Sequence, residues 1–84
     1  MSGTDQISGR QIAAARALAG IAQSELAASA SISVPTLRRM EASEGAASGL
    51  ANNVAAVRRA LEAAGVIFVD ENGEGPGVRL RKSS

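Results

Sequence analysis

Gln23-Ser-Glu-Leu-Ala-Ala-Ser-Ala-Ser-Ile-Ser-Val-Pro-Thr-Leu-Arg-Arg-Met-Glu41 reads as two short helices joined by a tight turn. The first begins near Gln23 and carries an inward stripe of Leu26, Ala27 and Ala30. Its N-cap position is Ala22, which offers no side-chain acceptor, so this end is expected to be less stable than one capped by Ser or Thr. Ser31-Ile32-Ser33 is the turn. Ser33 is a good N-cap for the next helix, and Pro35 falls in the first turn, where a missing N–H costs little. On a helical wheel with Val34 at zero, Arg38 lies near about 40°, Pro35 near about 100° and Arg39 near about 140°, against about 300° for Leu37 and about 240° for Met40. The helix over 33–41 is therefore expected to pack through Leu37 and Met40 and to turn Val34, Pro35, Arg38 and Arg39 outward.

Upstream, residues 1–7 are polar and without period, and are read as loose. Ser8 caps a first helix, with Gln11 three residues on completing a capping-box pattern. That helix runs through Ala19, and Gly20 closes it. Ile12, Ala15 and Ala19 share a face, Arg16 lies on its flank, and Leu18 points off it toward the C-terminal half. Downstream, 42–49 is small and glycine-bearing, a loop. Leu50, Val54, Val57 and Leu61 recur at helical spacing, predicting a core stripe on a fourth helix that ends at Ala64 and Gly65. Val66-Ile67-Phe68-Val69 is short, β-branched and aromatic, a strand. Asn72-Gly73 and Gly75-Pro76-Gly77 mark a turn. Val78-Arg79-Leu80-Arg81 alternates apolar and basic, a second strand with Val78 and Leu80 on one face. The tail, 82–84, is expected to fray. The reading is a single domain over 1–84, mainly α, with a helical part over 8–64 and a β-hairpin over 66–81.

The totals narrow the chemistry. The 84 residues include no cysteine and no histidine. Disulfides, thiolate metal sites, imidazole ligands and a Ser-His-Asp or Cys-His mechanism are thus excluded. The carboxylates are scattered, with no evident catalytic pair, so no enzyme, metal or cofactor is expected. Phe68 is the only aromatic residue, and the core must be built from Ala, Leu, Ile and Val. A core that small often needs a partner chain. Net charge is only +1, but the cations cluster at Arg38-Arg39, Arg58-Arg59 and Arg79/Arg81/Lys82. No apolar run has the length of a membrane span, and the N-terminus lacks the regions of a signal peptide. A cytoplasmic protein without membrane contact is expected.

The pattern Gln23-x-Glu25-Leu26-Ala27, then Ile32-Ser33-x-x-Thr36-Leu37-x-Arg39-Met40-Glu41, preceded by Arg16 and Gly20, resembles the Cro-like, xenobiotic-response-element family of helix-turn-helix regulators. It covers about 12–41, with helix four in the expected place, and implies a four-helix, lambda-repressor-like domain. The resemblance implies that Val34, Pro35, Thr36, Arg38 and Arg39 form the face entering a major groove, that Gln23 and the Ser33 end of the helix meet backbone phosphate, and that Arg16 and Glu41 pair inside the domain. Two positions depart from the family: Ser31 stands where glycine is usual in the turn, and Ala22 where a hydroxyl residue is usual. Ala60 to Val66 and Gly75 to Leu80 resemble the C-terminal join and ending of a subset of small bacterial regulators of this family.

The implied function is sequence-specific binding of double-stranded DNA by a homodimeric transcriptional regulator, most simply a repressor on a palindromic operator. Arginine bonding guanine O6 and N7 bidentately, and apolar Val34 and Pro35 beside a thymine methyl, are the chemistry such a face supplies. An isolated hairpin is marginal in water, so Val66, Ile67, Phe68, Val69, Val78 and Leu80 are read as a dimerisation element. Arg58-Arg59 reads as surface or as phosphate-proximal. Arg79, Arg81 and Lys82 read as edge-strand protection or as cations near DNA backbone. Two other classes share these features. One is a helix-turn-helix protein that binds another regulator, and the other is an antitoxin that also represses its own operon.

Overall fold

A computed structural model describes residues 7–82; the expectations for 1–6 and for 83–84 lie outside it. The chain forms α1 (Gly9–Ala19), α2 (Gln23–Ala30), α3 (Val34–Glu41), α4 (Ala51–Ala63), β1 (Val66–Val69) and β2 (Gly77–Leu80). It is a small, mainly α domain of four helices followed by an antiparallel hairpin, an arrangement of the helix-turn-helix type.

Local sequence accounts for the helix ends. Ser8 Oγ accepts from Gln11 N at 3.0 Å, while Gln11 Oε1 accepts from Ser8 N at 2.8 Å, a reciprocal capping box. Gly20 closes α1 in the left-handed region at φ 69°. At α2 the missing side-chain cap at Ala22 is offset in part by Glu25, whose Oε1 accepts from Ala22 N at 3.0 Å. Glutamate in the first turn also opposes the positive end of the helix dipole.

The turn between α2 and α3 places Ser31 at φ 59°, ψ 43°. It is the one non-glycine with positive φ among the described residues. An L-residue there carries a steric cost of roughly 1–2 kcal/mol that glycine avoids, part of which glycine's freer unfolded chain gives back. Ser31→Gly is therefore expected to stabilise the fold by about 1 kcal/mol, raising Tm by roughly 4–8 °C for a domain of this size. An unchanged or lower Tm would show that this conformation carries no strain.

The core is one cluster. Ile12, Ala15, Leu37, Met40, Val57, Leu61 and Val66 are fully buried, with Leu26 and Ala27 beside them. Burying each of the larger side chains is worth about 1.5–3 kcal/mol. Three expectations are corrected. Ile7, read as part of a loose segment, is buried, and its carbonyl accepts from Ala47 N at 2.9 Å. A single isoleucine in a polar run has no periodicity to announce it. Leu50, read as the first residue of the core stripe, is 68% exposed. It is the N-cap of α4 at φ −69°, ψ 140°, so it does not share the phase of Val54, Val57 and Leu61. Leu18, expected to turn to the C-terminal half, is 47% exposed.

The hairpin is also shifted. β2 covers Gly77–Leu80, one residue earlier than the alternation suggested, and pairs with β1 as Val66↔Leu80, Ile67↔Arg79, Phe68↔Val78 and Val69↔Gly77. Directly paired residues share a face. Val66 and Phe68 are therefore buried with Val78 packed beside them, while Ile67 and Arg79 face out. The hairpin is held on its own chain by Gln11, whose Nε2 donates to Gly77 O at 3.0 Å and toward Val69 O at 3.5 Å. Arg58 on α4 lies 5.1 Å from the Phe68 ring centroid, a cation–π contact. Of the six residues read as a dimerisation element, Val66 and Phe68 are buried within their own chain, Val69 and Val78 are half-buried, and Ile67 and Leu80 are exposed.

Candidate nucleic-acid interface

α3 is short, and each of its ends is held by side chains. Ser33 Oγ accepts from Thr36 N at 3.2 Å and donates to Thr36 Oγ1 at 2.8 Å, and Pro35 occupies the first turn. At the other end the Arg39 carbonyl accepts from Ser43 Oγ at 3.1 Å and from Ser48 Oγ at 3.3 Å. Ser43 Oγ also accepts from Ser48 N at 3.0 Å, folding the loop after α3 back onto it. No sequence signal singles out Ser43 or Ser48, because both bonds depend on the path of the loop.

Leu37 and Met40 are fully buried, so the opposite arc of α3 must face solvent. Pro35, Arg38 and Arg39 are exposed on it. Arg39 Nη2 donates toward Thr36 Oγ1 at 3.4 Å, so the guanidinium is biased toward the N-terminal half of the helix. Thr36 is half-buried, with its hydroxyl engaged by Ser33. Val34 is also half-buried and packs against the core. Its wheel position explains this: it lies only about 60° from Leu37, at the border of the buried arc. The outward face is thus narrower than the wheel alone suggests, with the arginines and Pro35 at its centre and Val34 at its edge.

Behind this face sits an ion-pair network. Arg16 Nε donates to Glu41 Oε2 at 2.9 Å and Arg16 Nη2 to Glu41 Oε1 at 3.2 Å, a two-pronged pairing of α1 with the end of α3. Arg16 Nη1 donates to Ile21 O at 3.2 Å, which ties in the α1–α2 connection. Gln23, the first residue of α2, donates its Nε2 to Glu41 Oε1 at 3.0 Å. One carboxylate therefore gathers three helices. The Gln23–Glu41 bond uses one of the two N–H groups of the Gln23 amide. Among the described residues every buried side-chain nitrogen or oxygen has a hydrogen-bond partner.

The charge on this side is one-sided. The α3 arc presents Arg38 and Arg39 without a carboxylate, while Glu41 is taken up by Arg16. Arg58 pairs with Glu62 at 3.1 Å and sits over Phe68, which gives it a structural employment, and Arg59 is exposed on the same helix. Arg79, Arg81 and Lys82 are exposed on and after β2. Among the described residues no group of His, Cys, Asp or Glu is arranged to hold a metal, and no helix is long and apolar enough to cross a membrane. The chain matches no protein-family model and no curated protein.

Proposed function

We propose that this chain is a sequence-specific DNA-binding regulator of transcription, of the Cro-like, xenobiotic-response-element kind its sequence resembles, and that it acts by occupying a near-palindromic operator as a homodimer rather than by catalysis. One observation carries the reading: α3 is a rigidly capped helix whose back, Leu37 and Met40, is wholly buried and whose front holds two exposed arginines. A major groove admits one α-helix, and arginine is the side chain best suited to guanine. Phosphate at the N-terminal end of α2 would meet N–H groups of its first turn and the positive end of the dipole; at α3, where Pro35 has no N–H and Thr36 N is bound to Ser33 Oγ, the Val34 N–H and the dipole remain. Ser31, despite lacking glycine's freedom, takes the left-handed conformation that the turn requires, so the departure at that position leaves the α2–α3 geometry in place. A face of this size reads few base pairs, and a two-fold copy doubles it, with half-sites roughly 34–36 Å apart.

The test is a binding titration against DNA from upstream of the protein's own gene, with random duplex as competitor. Arg38→Ala and Arg39→Ala are each expected to weaken operator binding by roughly 5–150-fold, the equivalent of about 1–3 kcal/mol per base contact, while binding to random duplex changes little. Circular dichroism should be unchanged, because neither side chain contributes to the core. Equal affinity of the unaltered protein for operator and random duplex would overturn the proposal. Unchanged operator binding by both variants would overturn the choice of reading face.

A further inference from the structure

We infer that Asn72 is a site of spontaneous covalent modification whose rate is set by Glu71. While the Glu71 carboxylate holds the Gly73 N–H, Asn72 keeps its amide. When that hold is lost, Gly73 N closes onto the Asn72 side chain and ammonia leaves. The inference depends neither on DNA binding nor on oligomeric state.

The chain has three asparagines, and Asn72 alone is followed by glycine. A glycine has no Cβ to obstruct the approach of its own nitrogen to the preceding side chain. Asn72 and Gly73 are exposed in the turn between β1 and β2, where water reaches both. Gly73 sits at φ 101°, a region open to glycine and strained for other residues. The other two asparagines lie on α4. The nitrogens that would attack Asn52 and Asn53 are those of Asn53 and Val54, and both donate to Leu50 O at 3.0 Å. The first turn of α4 therefore restrains them, and Val54 is buried and β-branched.

The chemistry exchanges one amide for another. Gly73 N gives up its proton and bonds to Asn72 Cγ. The Cγ–Nδ2 bond breaks, and Nδ2 leaves as ammonia carrying that proton. Water then opens the cyclic imide. Addition at Cγ breaks the new Cγ–N bond and leaves aspartate. Addition at the main-chain carbonyl carbon breaks the original peptide bond and leaves isoaspartate, in which the chain runs through Cγ. Water is the only co-reactant, and nothing is oxidised or reduced.

Glu71 opposes the first step. Its Oε2 accepts from Gly73 N at 2.8 Å and from Gly75 N at 2.9 Å. Bonds to an ionised acceptor are roughly twice as strong as neutral ones. The negative charge disfavours loss of the proton that Gly73 N must give up. One oxygen bridging two nitrogens also resists the rotation of the 72–73 peptide that would carry Gly73 N onto Cγ. The products do not fit this arrangement equally. Isoaspartate adds a methylene to the main chain between Glu71 and Gly73, the interval that the carboxylate spans. Aspartate keeps the chain length but sets another negative charge beside Asp70, Glu71 and Glu74. Either change falls in the segment leading to Gly77, whose carbonyl Gln11 uses to hold the hairpin on α1.

The experiment ages the full, folded chain at mildly alkaline pH, follows the gain in intact mass and locates the altered residue by peptide mapping. Glu71→Ala is expected to convert Asn72 at least about 10-fold faster than the unaltered chain, the lower end of what a hydrogen bond to a charged group contributes. In urea the two chains should convert alike, because neither then has the hold. Gln11→Met, which removes the hairpin's bond to α1 and leaves Glu71 in place, should convert at the unaltered rate. Equal rates for folded Glu71→Ala and the unaltered chain would overturn the inference, as would conversion of Asn52 or Asn53 ahead of Asn72. Acceleration by Gln11→Met as large as that by Glu71→Ala would overturn the role of Glu71 and assign the protection to hairpin docking.

Discussion

Gly9→Ala is expected to destabilise the domain by at least about 3 kcal/mol, the upper range for overpacking a filled interior, and to lower Tm by roughly 12–24 °C. A Cβ on Gly9 would meet the carbonyl oxygens of Met40 and Ser43 and the Ser43 nitrogen, all backbone atoms. Backbone cannot rotate aside as a side-chain tip can. The first turn of α1 is also pinned from the other side, where Gly9 N donates to Gly45 O at 3.1 Å. Intrinsic helix preference favours alanine over glycine by about 1 kcal/mol, so propensity alone predicts the opposite sign, and the steric term must exceed it. Gly45→Ala is the control. Nothing lies within 4 Å of a Cβ there, and an effect within about 0.5 kcal/mol is expected. Since a small domain has only about 5–15 kcal/mol in total, urea unfolding of the two variants separates the cases easily. A Gly9→Ala midpoint equal to that of Gly45→Ala would show that α1 can move away from α3 at no cost.

The second large effect is at Glu41. Glu41→Ala removes the acceptor of Arg16 Nε, Arg16 Nη2 and Gln23 Nε2 together. Breaking one side of a buried ion pair costs about 3–5 kcal/mol. The Arg16 side chain is 25% exposed and that of Glu41 9%, and Arg16 keeps its bond to Ile21 O, so about 2–3 kcal/mol is expected. Replacing the pair together, Arg16→Met with Glu41→Leu, should recover most of that loss, because the desolvation cost of both charges disappears with their attraction. The functional consequence differs from the energetic one. Glu41 ends α3, and Arg16 and Gln23 begin from other helices, so the network sets the angle at which Arg38 and Arg39 are presented. The apolar pair is therefore expected to recover stability more fully than operator affinity. If Glu41→Ala changes stability by less than about 0.5 kcal/mol, the network behaves as a surface pair.

Gly9 and Gln23 show what a sequence conceals. Gly9 looks like an indifferent first helical residue, and its constraint comes from carbonyls more than thirty positions away. The pairing of Glu41 with Arg16 is what the family resemblance implies and the structure contains it, but only the proximity of α2 adds Gln23 to the pair. Gln11 was legible as half of a capping box, since that bond spans three residues, but its second employment, holding Gly77 and Val69 of the hairpin, was not. Leu50 misled for the complementary reason. Its spacing from Val54 fits a helix, yet the helix begins one residue later, and a wheel cannot report where a wheel starts.

What the sequence determined by itself is the run of local structure: four helices bounded by Ser8, Gly20, Ser33 and Gly65, a hairpin with a glycine-rich turn, and a third helix with arginines opposite Leu37 and Met40. Each depends on interactions among residues a few positions apart, which the order of side chains already fixes. Only the tertiary structure decided that Ile7 belongs to the core, that Val34 packs against it at the border of the outward face, that Val66 and Phe68 are buried within their own chain, and that Gln23 joins the Arg16–Glu41 pair. Those outcomes depend on which distant segments approach, and burial is a property of neighbours in space, to which spacing along the chain is blind.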